Sequence, residues 1–255
     1  MDLGLSGKVA LVTGGSRGIG LAVARALATE GARVALLARD PDTLAAAAAG
    51  LRGAIGVSAD AADPEAIRVA VARVEDELGP VEILVTAAAT PNSSTGFGED
   101  ELLAQVDVKV AGALRCVRAV APGMASRGWG RIICISGLAA RQTGSVVGSV
   151  RNVAVAAMVK NLADELGPQG VNVTCVHPGM TITEKTPALM NRLAERQRVT
   201  PDEIEARFGE RVAIGRMATA GEVADVITFL ASPRSVAING DTIAAGGGAR
   251  GSIHY

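Results

Sequence analysis

The stretch "VALVTGGSRGIGLAVARALA", residues 9–28, joins a short apolar run to a longer helical one through a glycine-rich turn. Its first five residues predict a buried strand, and the apolar residues after the turn recur at helical spacing. Between the two, Gly14, Gly18 and Gly20 form a GxxxGxG pattern. Such a turn needs glycine where the chain bends sharply and where backbone approaches a phosphate. We interpret the stretch as a strand–loop–helix unit whose helix N-terminus binds phosphate groups; the alternative is a tight turn that binds no ligand.

The same alternation of strand and helix continues along the chain. Long Ala-rich runs with helical spacing separate short apolar runs, as in βαβ units. Because the apolar runs are nearly continuous, we expect strands covered on both faces, in one parallel sheet within a single domain. Gly31, Gly79 and Gly167 stand where helix C-caps belong. The predicted strands are 8–14, 32–38, 53–60, 81–87, 130–136 and 170–179, and the predicted helices are 18–31, 63–79, 99–126 and 148–167.

Composition excludes several classes of function. The 255 residues have a net charge of −1, which gives no basic patch for nucleic acid or anionic lipid, and the 2% aromatic content leaves little for base stacking. No apolar run approaches the roughly 20 residues of a membrane span, and the first residues show no signal segment. The three cysteines fit no metal pattern, and Cys134 and Cys175 lie in apolar runs as buried thiols. We therefore expect a cytoplasmic protein without a metal.

Several motifs together resemble one enzyme family. The glycine loop "TGGSRGIG" is similar to the TGxxxGxG fingerprint of the short-chain dehydrogenase/reductase family, and the likeness covers nearly the whole chain. The other matching segments are "VSADAADPE" (57–65), "VEILVTAAA" (81–89), "RIICISG" (131–137), "HPGMTIT" (177–183) and "NGDTIAAGGG" (239–248). The resemblance implies a Rossmann-type doubly wound parallel sheet of about seven strands, with helices on both faces, spanning 1–255. It also implies a substrate lid at about 180–215 and a C-terminal tail at about 248–255.

The resemblance places a dinucleotide cofactor along these motifs. NAD-preferring members carry an acidic residue at the end of the second strand, where this chain has Ala38 followed by Arg39. Arg39 and Arg17 suit a 2′-phosphate, because guanidinium groups bind phosphate with paired, charge-assisted hydrogen bonds. We therefore predict NADP rather than NAD; the alternative is that both arginines are ordinary solvated residues. The predicted cofactor-binding residues are Thr13, Gly14, Ser16, Arg17, Gly18, Ile19, Gly20, Arg39, Asp60, Ala61, Ala87, Ala88, Pro178, Gly179, Thr181 and Thr183.

The catalytic set of the family is altered. Members use Asn, Ser, Tyr and Lys, of which only the Ser has a counterpart here, Ser136. Alignment of the helix "AVAAMVKNLADELG" places the family Lys at Asn152 and the family Tyr at Gly148, or at Ser149 with a one-residue shift. The family Asn aligns with Lys109. The family's NNAG motif is also changed, to the four residues 86–89, "TAAA".

Lys109 is the residue that we predict to compensate for the lost Tyr. It lies among apolar residues at helical spacing, where a Lys is uncommon unless it has a partner or a role. Burial there would lower its pKa and allow it to donate a proton. Ser136, Lys109 and Asn152 are therefore the predicted catalytic residues, with Asn152 holding the ribose. The alternatives are a Lys109 that only fills the vacated Lys site or lies in an oligomer contact, and an Asn152 satisfied by backbone or water. Ser149, the terminal Tyr255 and water remain open as other proton donors.

Three functions compete at this stage. The first is an NADP-dependent oxidoreductase that interconverts a ketone and a secondary alcohol with a rearranged acid–base set. The second is a catalytically retired NADP-binding partner or regulatory protein. The third is an imine reductase or a lyase, since reduction of an iminium needs no proton on oxygen. The expected partners are a small carbonyl or alcohol substrate and further copies of the chain, as a dimer or tetramer. Arg151 is either an anchor for an acidic substrate or a surface or subunit-contact residue, and we expect His177 to be structural and the tail with His254 to be disordered.

Overall fold

The computed structural model describes residues 1–88 and 98–251. Residues Ala89, His254 and Tyr255, which the sequence analysis singled out, lie outside this part of the chain. The strands of the main sheet are β1 (Val9–Thr13), β2 (Arg33–Ala38), β3 (Ile55–Ser58), β4 (Ile83–Thr86), β5 (Gly130–Ile135), β6 (Val171–Pro178) and β9 (Thr242–Ala245), and a separate parallel pair is formed by β7 (Thr181–Ile182) and β8 (Ala218–Thr219). The seven strands of the main sheet are all parallel and follow the order β3-β2-β1-β4-β5-β6-β9, as the resemblance predicted.

Helices cover both faces of the main sheet. They are α1 (Gly18–Thr29), α2 (Pro41–Ala49), α3 (Pro64–Leu78), α4 (Glu99–Val106), α5 (Gly112–Ser126), α6 (Val146–Leu166), α7 (Thr186–Gln197), α8 (Pro201–Glu210) and α9 (Ala220–Ala231). One core cluster packs the sheet against α3, α5 and α6, and a second packs it against α1, α2 and α9. The sheet is thus buried on both sides, which explains why β1, β5 and β6 consist wholly of buried residues.

The sheet reverses its strand order next to β1. Val12 pairs with Leu36 of β2 on one side and with Val85 of β4 on the other. The chain first builds outward from β1 through β2 to β3, and then returns to build in the other direction from β4. At such a reversal the loops after neighbouring strands separate, and a crevice opens at the carboxyl ends of the strands. The predicted site residues lie along this edge.

Helix boundaries follow side-chain caps that the sequence encodes. The carboxylate of Asp40 accepts hydrogen bonds from the first turn of α2, and that of Asp63 does the same for α3. Gly79 ends α3 with a φ of +92°, as predicted. Gly167 is the C-cap of α6, as predicted, but its φ is −56° and the chain continues through a 3₁₀ turn. The left-handed backbone conformation occurs instead at Gly170, which ends the 3₁₀ turn with a φ of +81°.

The predicted helix 99–126 is interrupted in its middle. A π-helical turn, Asp107–Ala111, lies between α4 and α5 and contains Lys109. Arg115 donates hydrogen bonds to the main-chain oxygen of Asp107 at 3.4 Å and to its carboxylate at 2.7 Å, and also to the oxygen of Ala61 at 3.0 Å. These bonds stabilise the irregular turn, because a π turn interrupts the regular hydrogen-bond ladder of the helix. The regular helical spacing that the sequence suggested around Lys109 is therefore broken by the wider turn.

The segment 180–215, where the resemblance implies a substrate lid, is folded. It forms β7 and the two helices α7 and α8, and Met190, Ala194 and Ile204 pack with Met217 in a small apolar cluster. Thr200 starts α8 with a capping box completed by Glu203. These apolar residues are sparse in the sequence but converge between the two helices. No helix among the described residues has the length and apolar character needed to cross a membrane.

Gly170 offers a test of the packing between the ends of α6 and α5. Its φ is positive, and a Cβ added to it would lie 2.0 Å from the main-chain oxygen of Gly128. Gly53 also has a positive φ, of +72°, but an added Cβ meets no atom within 4 Å. We expect Gly53→Ala to lower the free energy of unfolding by about 1 kcal/mol, and Gly170→Ala to lower it by about 3 kcal/mol or more, because backbone must move. Urea unfolding measures both, and equal losses would contradict the packing described here.

Candidate active site

One cleft of about 910 Å³ runs along the carboxyl ends of the strands. It is lined from the loop after β1, through the ends of β2 and β3, to the residues that follow β5 and β6. The cleft thus passes over the point where the strand order reverses. Most of the predicted cofactor-binding residues line it: Gly14, Ser16, Arg17, Gly18, Ile19, Gly20, Arg39, Asp60, Ala61, Ala87, Ala88, Pro178, Gly179 and Thr183.

Two predicted cofactor contacts lie behind the cleft and do not line it. Thr13 is buried at the end of β1, and its hydroxyl accepts a hydrogen bond from the main-chain nitrogen of Ala88 at 3.4 Å. Thr181 donates from its hydroxyl to the main-chain oxygen of Gly179 at 3.0 Å. Both side chains shape the loops that form the cleft wall. Each hydroxyl makes one hydrogen bond within the protein, and the direct cofactor contact of these two residues stays a prediction.

The glycine loop is tightly folded. Gly14 and Gly18 have φ angles of +64° and +57°, and a Cβ on Gly20 would lie 2.3 Å from the oxygen of Gly14. The main-chain nitrogen of Gly18, at the start of α1, donates to a carboxylate oxygen of Glu184 at 3.2 Å. A carboxylate therefore occupies the position where a helix N-terminus attracts an anion. It stands in for a phosphate oxygen, and sequence reasoning missed it although Glu184 directly follows the predicted Thr183.

The adenosine end of the cleft lies over β2 and β3. Arg39 follows β2 and is exposed, and Arg17 precedes α1. The neighbouring Asp40 is also exposed and uses one carboxylate oxygen to cap α2. Asp60 follows β3, and its carboxylate accepts a hydrogen bond from the main-chain nitrogen of Ala62 at 3.0 Å. This end of the cleft thus has a hydrogen-bond acceptor at Asp60 and positive charge at Arg17 and Arg39.

Lys109 is buried at the other end of the cleft. Its side chain is 8% exposed, and its Nζ donates to the main-chain oxygen of Ser136 at 2.8 Å. Burial, followed by repulsion from the Arg151 guanidinium, lowers the pKa of Lys109 to about 7. An amine with such a pKa holds and releases a proton near neutral pH. The structure thus brings Lys109 together with Ser136, as the sequence analysis expected.

Ser136 and Asn152 lie against each other beside Lys109. The Ser136 hydroxyl donates to the main-chain oxygen of Asn152 at 2.9 Å, and both residues line the cleft. The Oδ1 atom of Asn152 is buried and has no hydrogen-bond partner within residues 1–88 and 98–251. An orphaned acceptor is costly unless a ligand supplies a donor. The amide of Asn152 is therefore available to a hydroxyl group bound in the cleft.

The position aligned with the family Tyr is filled by backbone. Gly148 is buried in the first turn of α6, and its nitrogen donates to the hydroxyl of the N-cap Ser145 at 3.0 Å. A Cβ at Gly148 would lie 2.9 Å from that hydroxyl oxygen. The hydroxyl of Ser149 donates to the main-chain oxygen of Gln142 at 3.0 Å and does not line the cleft. The alternative of Ser149 as proton donor is therefore not supported by its geometry.

His177 and the cysteines belong to the interior. His177 is buried at the end of β6, and its Nδ1 accepts a hydrogen bond from the nitrogen of Gly137 at 3.3 Å. Cys116, Cys134 and Cys175 are all buried free thiols, and burial raises the pKa of each of them. Within residues 1–88 and 98–251, no cluster of His, Cys, Asp and Glu has the arrangement of a metal site.

Comparison with known proteins places the chain in a family. Residues 14–250 match the family model described as enoyl-(acyl carrier protein) reductase. The chain is 35% identical over 247 residues to the short-chain reductase protein NovJ of Streptomyces niveus, with 94% of this chain and 93% of that protein covered. It is 32% identical over 259 residues to the 3-oxoacyl-(acyl-carrier-protein) reductase FabG of Vibrio harveyi, covering 96% of this chain and 98% of that protein.

Solved structures agree with the sequence matches. L-sorbose reductase from Gluconobacter frateurii, in complex with NADPH and L-sorbose, superimposes with a TM-score of 0.90 at 30% identity and covers 99% of this chain and 100% of its own. A single-residue variant of actinorhodin polyketide ketoreductase with NADPH has a TM-score of 0.87 at 31% identity, covering 94% of this chain and 96% of its own. With the sheet order, the glycine loop and the cleft described above, these matches show that the chain belongs to the short-chain dehydrogenase/reductase family of oxidoreductases.

Proposed function

We propose that the protein is an NADP(H)-dependent reductase that interconverts a ketone and a secondary alcohol, with Lys109 in place of the family's Tyr as proton donor. One observation carries the proposal: the Lys109 amine is buried in the cleft, 2.8 Å from the Ser136 oxygen, with a pKa lowered to about 7. A general acid works best when its pKa lies near the working pH. A solvated lysine would hold its proton too strongly at neutral pH.

The residues of the cleft fit a bound dinucleotide. The Gly18 nitrogen already binds a carboxylate at the start of α1, so the loop accepts an anion where the pyrophosphate would lie. Arg17 and Arg39 would hold a 2′-phosphate, and the orphaned Oδ1 of Asn152 would accept a hydrogen bond from a ribose hydroxyl. Two of the related structures contain NADPH, which supports the same cofactor here.

The chain's own residues supply the proton and the orientation. NADPH, when bound, would supply a hydride to the carbonyl carbon of the substrate. The Lys109 ammonium donates a proton to the carbonyl oxygen, and the resulting amine takes up a new proton from water because its pKa is about 7. The Ser136 hydroxyl orients the carbonyl once it turns away from the Asn152 main-chain oxygen, to which it donates in the structure. In the reverse direction the neutral Lys109 amine accepts the proton of the alcohol.

The α6 surface supports a homo-oligomer. Val146, Val150 and Val153 recur at helical spacing on α6 and are each exposed by between 44% and 56%. Leu103 of the neighbouring α4 is 57% exposed. An apolar stripe of this kind is a candidate for burial against a second copy of the chain. Dimer or tetramer formation through α6 is therefore part of the proposal.

A second candidate function is a cofactor-binding protein without turnover. The observation that favours it is the Ser136 hydroxyl, which donates to the Asn152 main chain and so is already engaged within the protein. Gly148 also leaves no phenol at the position of the family Tyr. Turnover of any ketone by the purified protein with NADPH excludes this candidate, whereas NADPH binding without turnover of ketones or imines supports it.

The Lys109 role predicts a specific kinetic defect. Lys109→Met should lower the rate of ketone reduction about 10²- to 10⁴-fold, the typical contribution of a positioned acid, while NADPH still binds. In the unmodified protein the reduction rate should fall as the pH rises through about 7, because the ammonium is lost. Lys160→Met, on the exposed face of α6, is the matched control and should behave as the unmodified protein. An unchanged rate in Lys109→Met would remove this residue from the mechanism.

The cofactor preference depends on Arg39. Calorimetric titration should show tighter binding of NADPH than of NADH. Arg39→Met should weaken NADPH binding about 10- to 100-fold, the range for a lost charge-assisted hydrogen bond, and should leave NADH binding nearly unchanged. Arg52→Met, at an exposed position after α2, controls for the loss of one positive charge. Tighter binding of NADH by the unmodified protein would show that the NADP assignment is wrong.

Glu184 competes with the cofactor for the start of α1. Because its carboxylate accepts from the Gly18 nitrogen, a phosphate must displace it. Glu184→Gln should therefore tighten NADPH binding several-fold, up to about tenfold, with the larger gain at low salt. Glu205→Gln, at an exposed position on α8, is the charge-matched control. Weaker NADPH binding in Glu184→Gln would mean that the carboxylate supports the cofactor-bound state.

A further inference from the structure

Charge is unevenly distributed along the cleft. Its carboxylate-bearing lining residues, within the described part of the chain, are Asp40 and Asp60, which follow β2 and β3 at the adenosine end. The end that contains Ser136 is lined instead by Lys109, Arg151 and Arg211. A polar ketone such as an unmodified sugar has no group that needs three cations. The substrate end of this cleft therefore has the character of an anion-binding site.

Arg151 is a partly buried cation at this end, and its hydrogen bonding is incomplete. It projects from α6 into the cleft beside Asn152 and is only partly exposed. Its Nη1 donates to the side-chain oxygen of Gln105 on α4, which fixes one side of the guanidinium. Its Nε is buried and has no hydrogen-bond partner among the residues that the structure describes. A guanidinium that has lost water without gaining a full set of acceptors is costly, and a bound anion would offset this cost.

The charged groups around Arg151 also favour the binding of an anion. Burial lowers the pKa of Arg151, and the carboxylate of Glu101 on α4 partly opposes that effect. Arg151 in turn repels Lys109. Both cations line the cleft at the end that contains Ser136. An anionic group bound there would relieve their mutual repulsion.

We propose that the substrate is a carbonyl compound that carries a carboxylate, and that Arg151 binds this carboxylate while Lys109 and Ser136 face the carbonyl. The inference rests on the proposed reductase function and assigns its substrate class. A carboxylate suits Arg151 because the Nε edge of a guanidinium is planar and donates two parallel hydrogen bonds to two oxygens. Arg151 thereby acts as a specificity residue and takes no part in proton transfer.

The test compares acids with neutral isosteres in the same assay. NADPH-dependent reduction of 2-oxo-, 3-oxo- and 4-oxopentanoate is measured against the methyl ester of each, at pH 6, where Lys109 carries its proton with or without Arg151. The unmodified protein should prefer at least one acid over its ester about 10- to 100-fold in kcat/KM, mainly through KM. Arg151→Met should reduce that ratio to about one. Arg151→Lys, which keeps the charge but loses the planar fork, should give an intermediate ratio, and Arg52→Met should keep the full ratio.

A pH profile provides a readout that a merely structural role would not change. A carboxylate bound between Arg151 and Lys109 stabilises the Lys109 ammonium, so the loss of rate at high pH should occur at higher pH for the acid than for its ester. Esters reduced as well as the acids, with coinciding profiles, would overturn the inference and leave the reductase function intact.

A binding measurement separates failure of the inference from failure of the proposed function. Pentanoate and the neutral pentanamide are titrated into the protein in the presence of NADPH. If no ketone is reduced, the reductase proposal fails, but tighter binding of pentanoate that is lost in Arg151→Met still supports the anion site. Equal binding of the two probes, or a pentanoate preference unaffected by Arg151→Met, overturns the assignment of Arg151.

Discussion

The hydrogen bond from the Lys109 amine to the Ser136 main-chain oxygen is the interaction on which the active site depends. It joins the middle of the interrupted helix α4–α5 to the end of β5, and it fixes a buried positive charge beside the only family catalytic residue that the sequence retains. Lys109 lies in the π-helical turn, and Arg115 stabilises this turn through its hydrogen bonds to Asp107 and Ala61. These hydrogen bonds thus support the segment that carries the buried amine.

In the proposed mechanism, the exchange between Lys109 and Asn152 preserves one function of the family's site and alters another. In typical family members, a Lys at the position of Asn152 lowers the pKa of the Tyr and holds the ribose. Here an amide on α6 is placed to hold the ribose, and the Lys, which comes from the π turn between α4 and α5, is itself the group whose pKa is lowered. Its low pKa follows from burial and from Arg151, so the proposed substrate contact and the proposed proton donor are electrostatically coupled.

Much of the fold could be predicted from the sequence. The glycine loop between an apolar run and a helical run, and the continuously apolar strands, predict the doubly wound sheet. The π turn at Asp107 was not predictable, because it is stabilised by Arg115 from a later turn and leaves no periodic signal. The lid helices were missed since Met190 and Ile204 become anchors only when α7 and α8 pack together. In the site, Ser136, Lys109 and Asn152 lie together, as the sequence suggested. The hydroxyls of Thr13, Thr181 and Ser149 form hydrogen bonds with neighbouring main-chain groups, and sequence alone does not show this orientation.

The most direct test of the proposed mechanism is the pKa of Lys109 in the folded protein. The chain has four lysines, Lys8, Lys109, Lys160 and Lys185, so an NMR titration of the protein with ¹³C-labelled lysine side chains gives few signals. The Lys109 signal is identified by its absence in Lys109→Met. We predict a pKa of about 7 for this residue. A value near 10.4, the value of a solvated lysine, would show that Lys109 is an ordinary cation, and it would contradict the proposal that this residue replaces the missing Tyr.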